Sequence, residues 1–323
     1  MNRYFYFSPS GDGWRNLAAD EYFLNTLGPD DFMLYFYRNE NAVIIGRNQN
    51  PWQECNFAAM EKDGVQLVRR CSGGGAVYHD GGNLNFSFIA GEKHYDLTRQ
   101  MEMIVEALAP FGVPARLSGR NDITAEGKKF SGNAFCARGA CRQHHGTLLI
   151  HADLNAMQKY LNVSGEKLKS KGVKSVRSRV CNLSDFAPSL TCQQVAQALI
   201  DVCTKRLGPF TQYEITAEAG AEIEKLSARH ASWEWRMGKS PKFDYTLERR
   251  FSWGGVQLGL NVSGGRITNA VLYTDAMDTG FAPAVSALIG LRFEPAALGE
   301  ALRSGAEHRE LIELGDYILE NGL

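Results

Sequence analysis

Residues 69–80 read Arg69-Arg70-Cys71-Ser72-Gly73-Gly74-Gly75-Ala76-Val77-Tyr78-His79-Asp80. Three consecutive glycines strip every Cβ from a short run of backbone, so its N–H groups can come close to an anionic ligand. The two arginines before them supply charge-assisted hydrogen bonds of the kind that hold phosphate or carboxylate. Strand-like stretches flank the segment at 66–69 and 83–89, which reads as a phosphate-cradling turn between strands. A tight hairpin whose glycines only provide positive φ is the plainer alternative. Neither common nucleotide loop is present. The partial Walker A match, Gly238-Lys239-Ser240, has Trp233 where the first glycine belongs and Pro241 directly after it, and no Gly-x-Gly-x-x-Gly occurs.

Outward from this segment, helical and extended patterns are mixed. Leu17, Phe23, Leu24 and Leu27 can share one face of a helix over 14–27, and strands are expected at 32–37 and 43–45. Met101, Ile104, Val105 and Leu108 keep helical spacing over 96–109. Thr191-Cys192-Gln193-Gln194 is a capping-box start for a helix with Val195, Leu199, Val202 and Cys203 on its buried stripe. Strands are expected at 121–125, 128–137 and 147–150. Strict β-α-β alternation is missing, which predicts an α/β protein of the α+β kind, with a mixed sheet covered by helices rather than a doubly wound parallel fold. Near 241 the composition changes. Alternating Val256, Leu258, Leu260 and Val262, a Gly264-Gly265 turn, a strand over 266–273 and helical patterns from Ala282 onward predict a small α/β domain. The expected division is therefore 1–241 and 242–323.

The 323 residues carry 35 basic and 36 acidic side chains for a formal net charge of −1, and 44% are hydrophobic. That balance suits a folded protein and argues against disorder or a dedicated nucleic-acid binder. Apolar runs fall short of the roughly 18 residues that span a bilayer, and the N-terminal apolar stretch of four residues falls short of a secretory core, so a cytoplasmic protein is expected. Seven scattered cysteines read as reduced thiols. Cys136, Cys141, His144 and His145 are close in sequence but match no common zinc spacing, so no metal ligand is assigned. Cys141 reads as an incidental small hydrophobe.

Two further segments bear on chemistry. In Lys128-Lys129-Phe130-Ser131-Gly132-Asn133-Ala134 strand alternation puts the two lysines on opposite faces, so one can point inward and stabilise charge on a phosphoryl or carboxyl oxygen. Solvated strand lysines are the alternative. His144-His145-Gly146-Thr147-Leu148-Leu149 leads into an apolar strand, where one histidine can face a cavity or serve the core. Residues 159–179 hold seven basic side chains, Lys159, Lys167, Lys169, Lys171, Lys174, Arg177 and Arg179, against Glu166. This is either a solvated face or a docking surface for an acidic partner or triphosphate.

In order and spacing these segments resemble the lipoate-protein ligase A family. Residues 69–80 match its binding signature and Lys-Phe-Ser-Gly-Asn-Ala at 129–134 its lysine motif. Stretches 43–52, 144–149, 171–180, 232–235 and 251–256 are also similar, so the resemblance runs from about 14 to 275. It implies a catalytic domain related to biotin-protein ligases and class II synthetases, followed by a small C-terminal domain. It implies a two-step reaction: lipoate and Mg-ATP give lipoyl-AMP and pyrophosphate, and the lysine of an apo lipoyl domain then takes the lipoyl group. By resemblance Arg70, Gly75, Ala76, Val77, Tyr78, Asn83 and Asp122 bind the nucleotide. Ser72, Gly73, Gly74 and His145 lie with Arg70 at the lipoyl pocket, and Lys129, the catalytic residue, touches both ligands. Mg2+ comes with ATP. The acceptor is a 2-oxoacid dehydrogenase E2 subunit or glycine-cleavage H protein, and the enzyme is expected to be a monomer without nucleic-acid or membrane partners. The rivals are an ATP-independent octanoyl or lipoyl transferase and a non-catalytic lipoate-binding protein. The transferase needs a cysteine nucleophile, and Ala115-Arg116-Leu117-Ser118-Gly119-Arg120, where similar enzymes carry it, has none. Cys71, Cys136 or Cys141 would have to serve.

Overall fold

The computed structural model describes residues 1–119, 121–162, 180–237, 243–304 and 307–322. The expected boundary at 241 and the basic residues of 163–179 lie outside the described residues. The chain divides into two compact units. One comprises Met1–Ile45, Trp52–Cys71 and Ala76–Arg236; the other comprises Gly46–Pro51, Ser72–Gly75 and Met237–Leu323.

In the first unit the strands are β1 (Asn2–Phe7), β2 (Asp31–Tyr37), β3 (Ala42–Ile45), β4 (Gln66–Arg69), β5 (Val77–His79), β6 (Asn83–Gly91), β7 (Ala115–Ser118), β8 (Asp122–Ala125), β9 (Lys128–Arg138), β10 (Cys141–Leu149) and β11 (Thr211–Gln212). Eight of them form one mixed sheet in the order β11-β1-β2-β6-β10-β9-β8-β7. The β11-β1-β2 edge is parallel and the remainder antiparallel. The run Phe32-Met33-Leu34-Tyr35-Phe36-Tyr37 has no polar alternation because β2 is buried on both faces. Phe32, Leu34 and Phe36 join the core on one face of the sheet, while Met33, Tyr35 and Tyr37 join the core of the opposite face.

Four long helices cover this sheet: α1 (Gly13–Thr26), α2 (Leu97–Leu108), α3 (Cys192–Leu207) and α4 (Ala217–Ala231). Their starts are written in their caps. Asp12 accepts from the Trp14 and Arg15 N–H groups, Asp96 caps α2, and Thr191 with Gln194 forms the expected capping box. Met101, Ile104 and Leu108 of α2 and Val195, Leu199 and Cys203 of α3 share the Phe32 face, whereas Leu17, Phe23 and Leu24 of α1 share the Tyr35 face. Val202 is half-buried, and Leu27 ends α1 as its cap rather than extending its apolar stripe.

A second, three-stranded sheet has the order β4-β3-β5, with β3 parallel to β4 and antiparallel to β5. The glycine segment therefore joins strands that flank β3 rather than pair with each other. This corrects the hairpin alternative. In the second unit β12 (Tyr245–Arg250), β13 (Gly255–Ser263) and β14 (Arg266–Thr274) form an antiparallel sheet. Gly264 and Gly265 both adopt left-handed φ, 57° and 72°, as a two-residue turn requires. Leu258, Leu260 and Leu272 pack with Phe281 and with helices α5 (Pro295–Ser304) and α6 (Arg309–Asn321). Among the described residues no helix is long and apolar enough to cross a membrane.

Candidate active site

The adjacent arginines that end β4 diverge. Arg69 donates to the carbonyls of Trp235 and Arg236, at 3.1 Å and 2.7 Å, and its own carbonyl accepts from the Trp235 indole at 2.9 Å. It ties β4 to the segment 233–236. Arg70 is buried, its guanidinium reaches the Ile44 carbonyl at 3.4 Å, and burial draws its pKa down to about 10. It therefore remains a cation at neutral pH. Burial, helped by the Arg70 charge, holds both His79 and His145 near pKa 3, so both imidazoles are neutral. Asn39 donates to His79 Nδ1 at 3.0 Å. His145 Nδ1 stands 3.8 Å from an Asp20 oxygen, and burial pushes the Asp20 carboxyl up to about 7 against the hydrogen bonds of Ser87 and Gln143. Arg70 is thus a buried cation beside neutral imidazoles, with the Glu54 carboxylate also acting on it, and a buried charge acts on an anion more strongly than a solvated one.

Lys129 is placed by an irregularity. Along β8, Asp122 and Thr124 share a face, and their partners on β9 are Gly132 and Lys129. Partners three residues apart on one face require an extra residue, and Phe130, buried in the core, is that bulge. Lys129 Nζ lies 2.7 Å from Asp122 Oδ1, with side chains 32% and 25% exposed. Lys128 is exposed. The lysine carbonyl accepts from Cys181 N–H at 3.0 Å, which anchors the backbone beneath the side chain.

The neighbouring acid of α1, Glu21, has a different environment. Its carboxylate accepts from Arg138 at 2.9 Å, His230 at 2.8 Å and the Cys71 thiol at 3.2 Å, and pairs with Arg229. Burial alone would raise this carboxyl, but the His230, Arg138 and Cys71 hydrogen bonds and the Arg229 charge hold it far below the ordinary range. Burial, with Glu21 adding to it, pushes the Cys71 thiol well up. Among the described residues Glu21, Cys71 and His230 form the grouping of metal-ligand types, with ligand atoms within 4.8 Å of one another. Two guanidiniums already occupy that carboxylate, so a cation there would meet like charge.

Ser72, Gly73, Gly74 and Gly75 belong to the second unit. Ser72 O accepts from Arg47 N–H at 2.9 Å, and Gly74 N–H donates to Ala276 O at 3.0 Å. A Cβ on Gly73 would stand 2.4 Å from Ala276 O and 2.6 Å from Met277 O, and Gly74 has φ of 91°. The glycines thus serve close packing and a left-handed turn, and the Gly74 N–H is committed to a protein carbonyl rather than offered to a ligand as the sequence suggested.

The remaining expected residues are distributed through the first unit. Tyr78 donates to Asn41 at 3.2 Å and packs on Tyr160, and burial raises its phenol to about 12. Ala76 and Val77 are half-buried. Asn83 is fully buried at the start of β6 and donates to Asn85 at 3.0 Å. His144 lies between the Gln100 and Asn133 side chains, against Phe86 and Phe88, and serves the core. Asp20, Glu21, Arg138 and His230 had no signal in the sequence beyond a double acid in α1, because their partners arrive from distant segments.

The family described as "Lipoyl protein ligase A/B catalytic domain" matches residues 12–204, and "Bacterial lipoate protein ligase C-terminus" matches 240–314. Among solved structures, P. falciparum LipL1 in complex with lipoate is 29% identical with TM-score 0.85, over 98% of this chain and 99% of that one. The bipartite lipoate protein ligase of Thermoplasma acidophilum, described with its E2 lipoyl domain, is 32% identical with TM-score 0.66, over 76% and 100%. A lipoate-protein ligase A bound with ATP is likewise 32% identical with TM-score 0.66, over 74% and 99%.

Proposed function

This chain belongs to the lipoate-protein ligase family, and from that premise we propose that it is an AMP-forming ligase that attaches lipoate to apo lipoyl domains. In the first step the lipoate carboxylate attacks the α-phosphorus of ATP, the bond to the β-phosphate breaks and pyrophosphate leaves. In the second, the amine of an acceptor lysine, its proton given up to solvent, attacks the lipoyl carbonyl carbon and AMP departs. Acceptors are E2 subunits or the H protein, and Mg2+ accompanies the nucleotide phosphates to neutralise their charge.

The observation that carries the reading is Lys129, a half-exposed ammonium turned by a bulge onto the face of Asp122. Both steps develop negative charge on oxygen, and one preorganised donor in a dry site lowers such a barrier by roughly 2.7–4 kcal/mol. Arg70 adds a buried cation for the carboxylate or phosphate, and neutral His145 adds a hydrogen-bonding group that brings no further charge. A thioester route is disfavoured for two of the three candidate thiols, Cys71 and Cys141. Burial, followed by a nearby carboxylate, raises both Cys71 and Cys141, and a protonated thiol is a poor nucleophile.

Intact mass of an apo lipoyl domain after incubation with the protein, lipoate and Mg-ATP tests the proposal. A lipoyl mass gain that needs ATP is expected. Modification only by an octanoyl-carrier protein without ATP would replace the ligase with an acyltransferase.

A further inference from the structure

Gly132 sits on the lysine face of β9, directly opposite Asp122. A Cβ built on it would stand 2.7 Å from Lys129 Nζ and 2.9 Å from Cε, and the next atom, Thr147 Oγ1, is 4.0 Å away. The ammonium therefore lies across the bare Cα of Gly132 on its way to Asp122. The Gly132 N–H donates to Thr147 Oγ1 at 3.2 Å, which holds this floor in place from β10. Three features coincide: a bulge that brings residues 129 and 132 to one face, a glycine that leaves room for the lysine, and an acid that ends its path.

We propose that Asp122 and Gly132 are positioning residues that park Lys129 in the ligand-free protein, and that anionic substrate takes the lysine over from Asp122. The inference rests on the reading of Lys129 as the group that serves the substrate. While paired with Asp122 the lysine presents little net charge. A carboxylate or phosphate arriving on the same face competes for the ammonium and is repelled by Asp122, so the pair opens as the ligand binds. Exposure keeps the exchange easy, because a partly solvated ion pair is weakly held. Glycine at 132 is required by this arrangement rather than by its own backbone, since it does not adopt a left-handed φ.

The test is the rate of acetylation of Lys129 by limiting acetic anhydride, read by peptide mass spectrometry against the exposed neighbour Lys128. Gly132→Ala crowds only the far end of a flexible side chain, so its unfolding midpoint should match the wild type. Asp122→Asn removes the charge and keeps the shape. Both should raise the Lys129-to-Lys128 ratio about two- to fivefold, the range that loss of an exposed ion pair supports. An unchanged ratio in folded Gly132→Ala would overturn the proposal. Saturating Gly132→Ala with lipoate and Mg-ATP should return the ratio toward the wild-type value. A raised ratio that these substrates do not lower would leave the pairing standing and overturn the substrate role of Lys129 instead.

Discussion

Glu21 and Asp122 are both acids beside cations, yet the protein uses them in opposite ways. Glu21 is 2% exposed and its carboxylate is shared by Arg138, Arg229, His230 and the Cys71 thiol. Asp122 is 25% exposed and holds one lysine. Several donors converging on a buried carboxylate make a fixture, because the acid cannot leave without depriving all of them of their acceptor at once. A single pair open to water can be traded for another anion at little cost. The first region holds α1, α4, β9 and the end of β4 together, and the second is where charge can change hands.

Glu21→Ala should produce a large effect, a loss of about 2–4 kcal/mol in unfolding free energy, since the buried His230 loses its acceptor and two partly solvated guanidiniums lose their shared carboxylate. Denaturant melts would show it; a midpoint near that of the wild type would erase the contrast. Lys129→Ala should do the reverse, lowering lipoyl-AMP formation by about 10²–10³ while thermal stability holds. Near-native single-turnover rates would remove Lys129 from the mechanism.

Asp20, one residue before Glu21, gives a third case: buried like Glu21 but without its cations, its carboxyl is raised from 3.8 to about 7. The folded protein keeps this proton where the unfolded chain loses it. The stability this group contributes is therefore full below about pH 4 and is lost as pH rises through about 7. Asp20→Asn should gain on the wild type over that interval by up to about 4 kcal/mol, read as a widening difference in melting temperature. His79, His144 and His145, held near 3, have the opposite sign but are common to both proteins and cancel in the difference. A constant difference from pH 4 to 8 would show that Asp20 ionises normally. Cys71→Ala should have the smallest effect, about 1 kcal/mol for one hydrogen bond to a carboxylate that keeps its other partners, with transfer activity retained. Loss of all transfer with the fold intact would make Cys71 a reacting group.

The elements legible in the sequence were those whose signals are local. Asp96 and Thr191 announce helices through caps formed within three residues, and the apolar run at 32–37 marks a strand buried on both sides. What escaped was set by pairing across the chain. β1, β5 and α4 carry no local signal, and the two stretches expected to flank the glycines, 66–69 and 83–89, belong to different sheets. The Phe130 bulge belongs to the register of β8 against β9 rather than to either strand alone, so alternation predicted that one lysine would face inward without showing how it meets Asp122. The opposite protonation of Asp20 and Glu21 is likewise invisible in two adjacent letters, because it depends on residues such as Arg138 and His230.

The central claim is that this protein activates a carboxylate as its adenylate. Exchange of labelled pyrophosphate into ATP, with lipoate present and no acceptor protein, measures that step by itself. The account predicts exchange that depends on lipoate and collapses in Lys129→Ala. Wild-type protein that catalyses no exchange, yet moves an acyl group from a carrier thioester to an apo lipoyl domain, would contradict it.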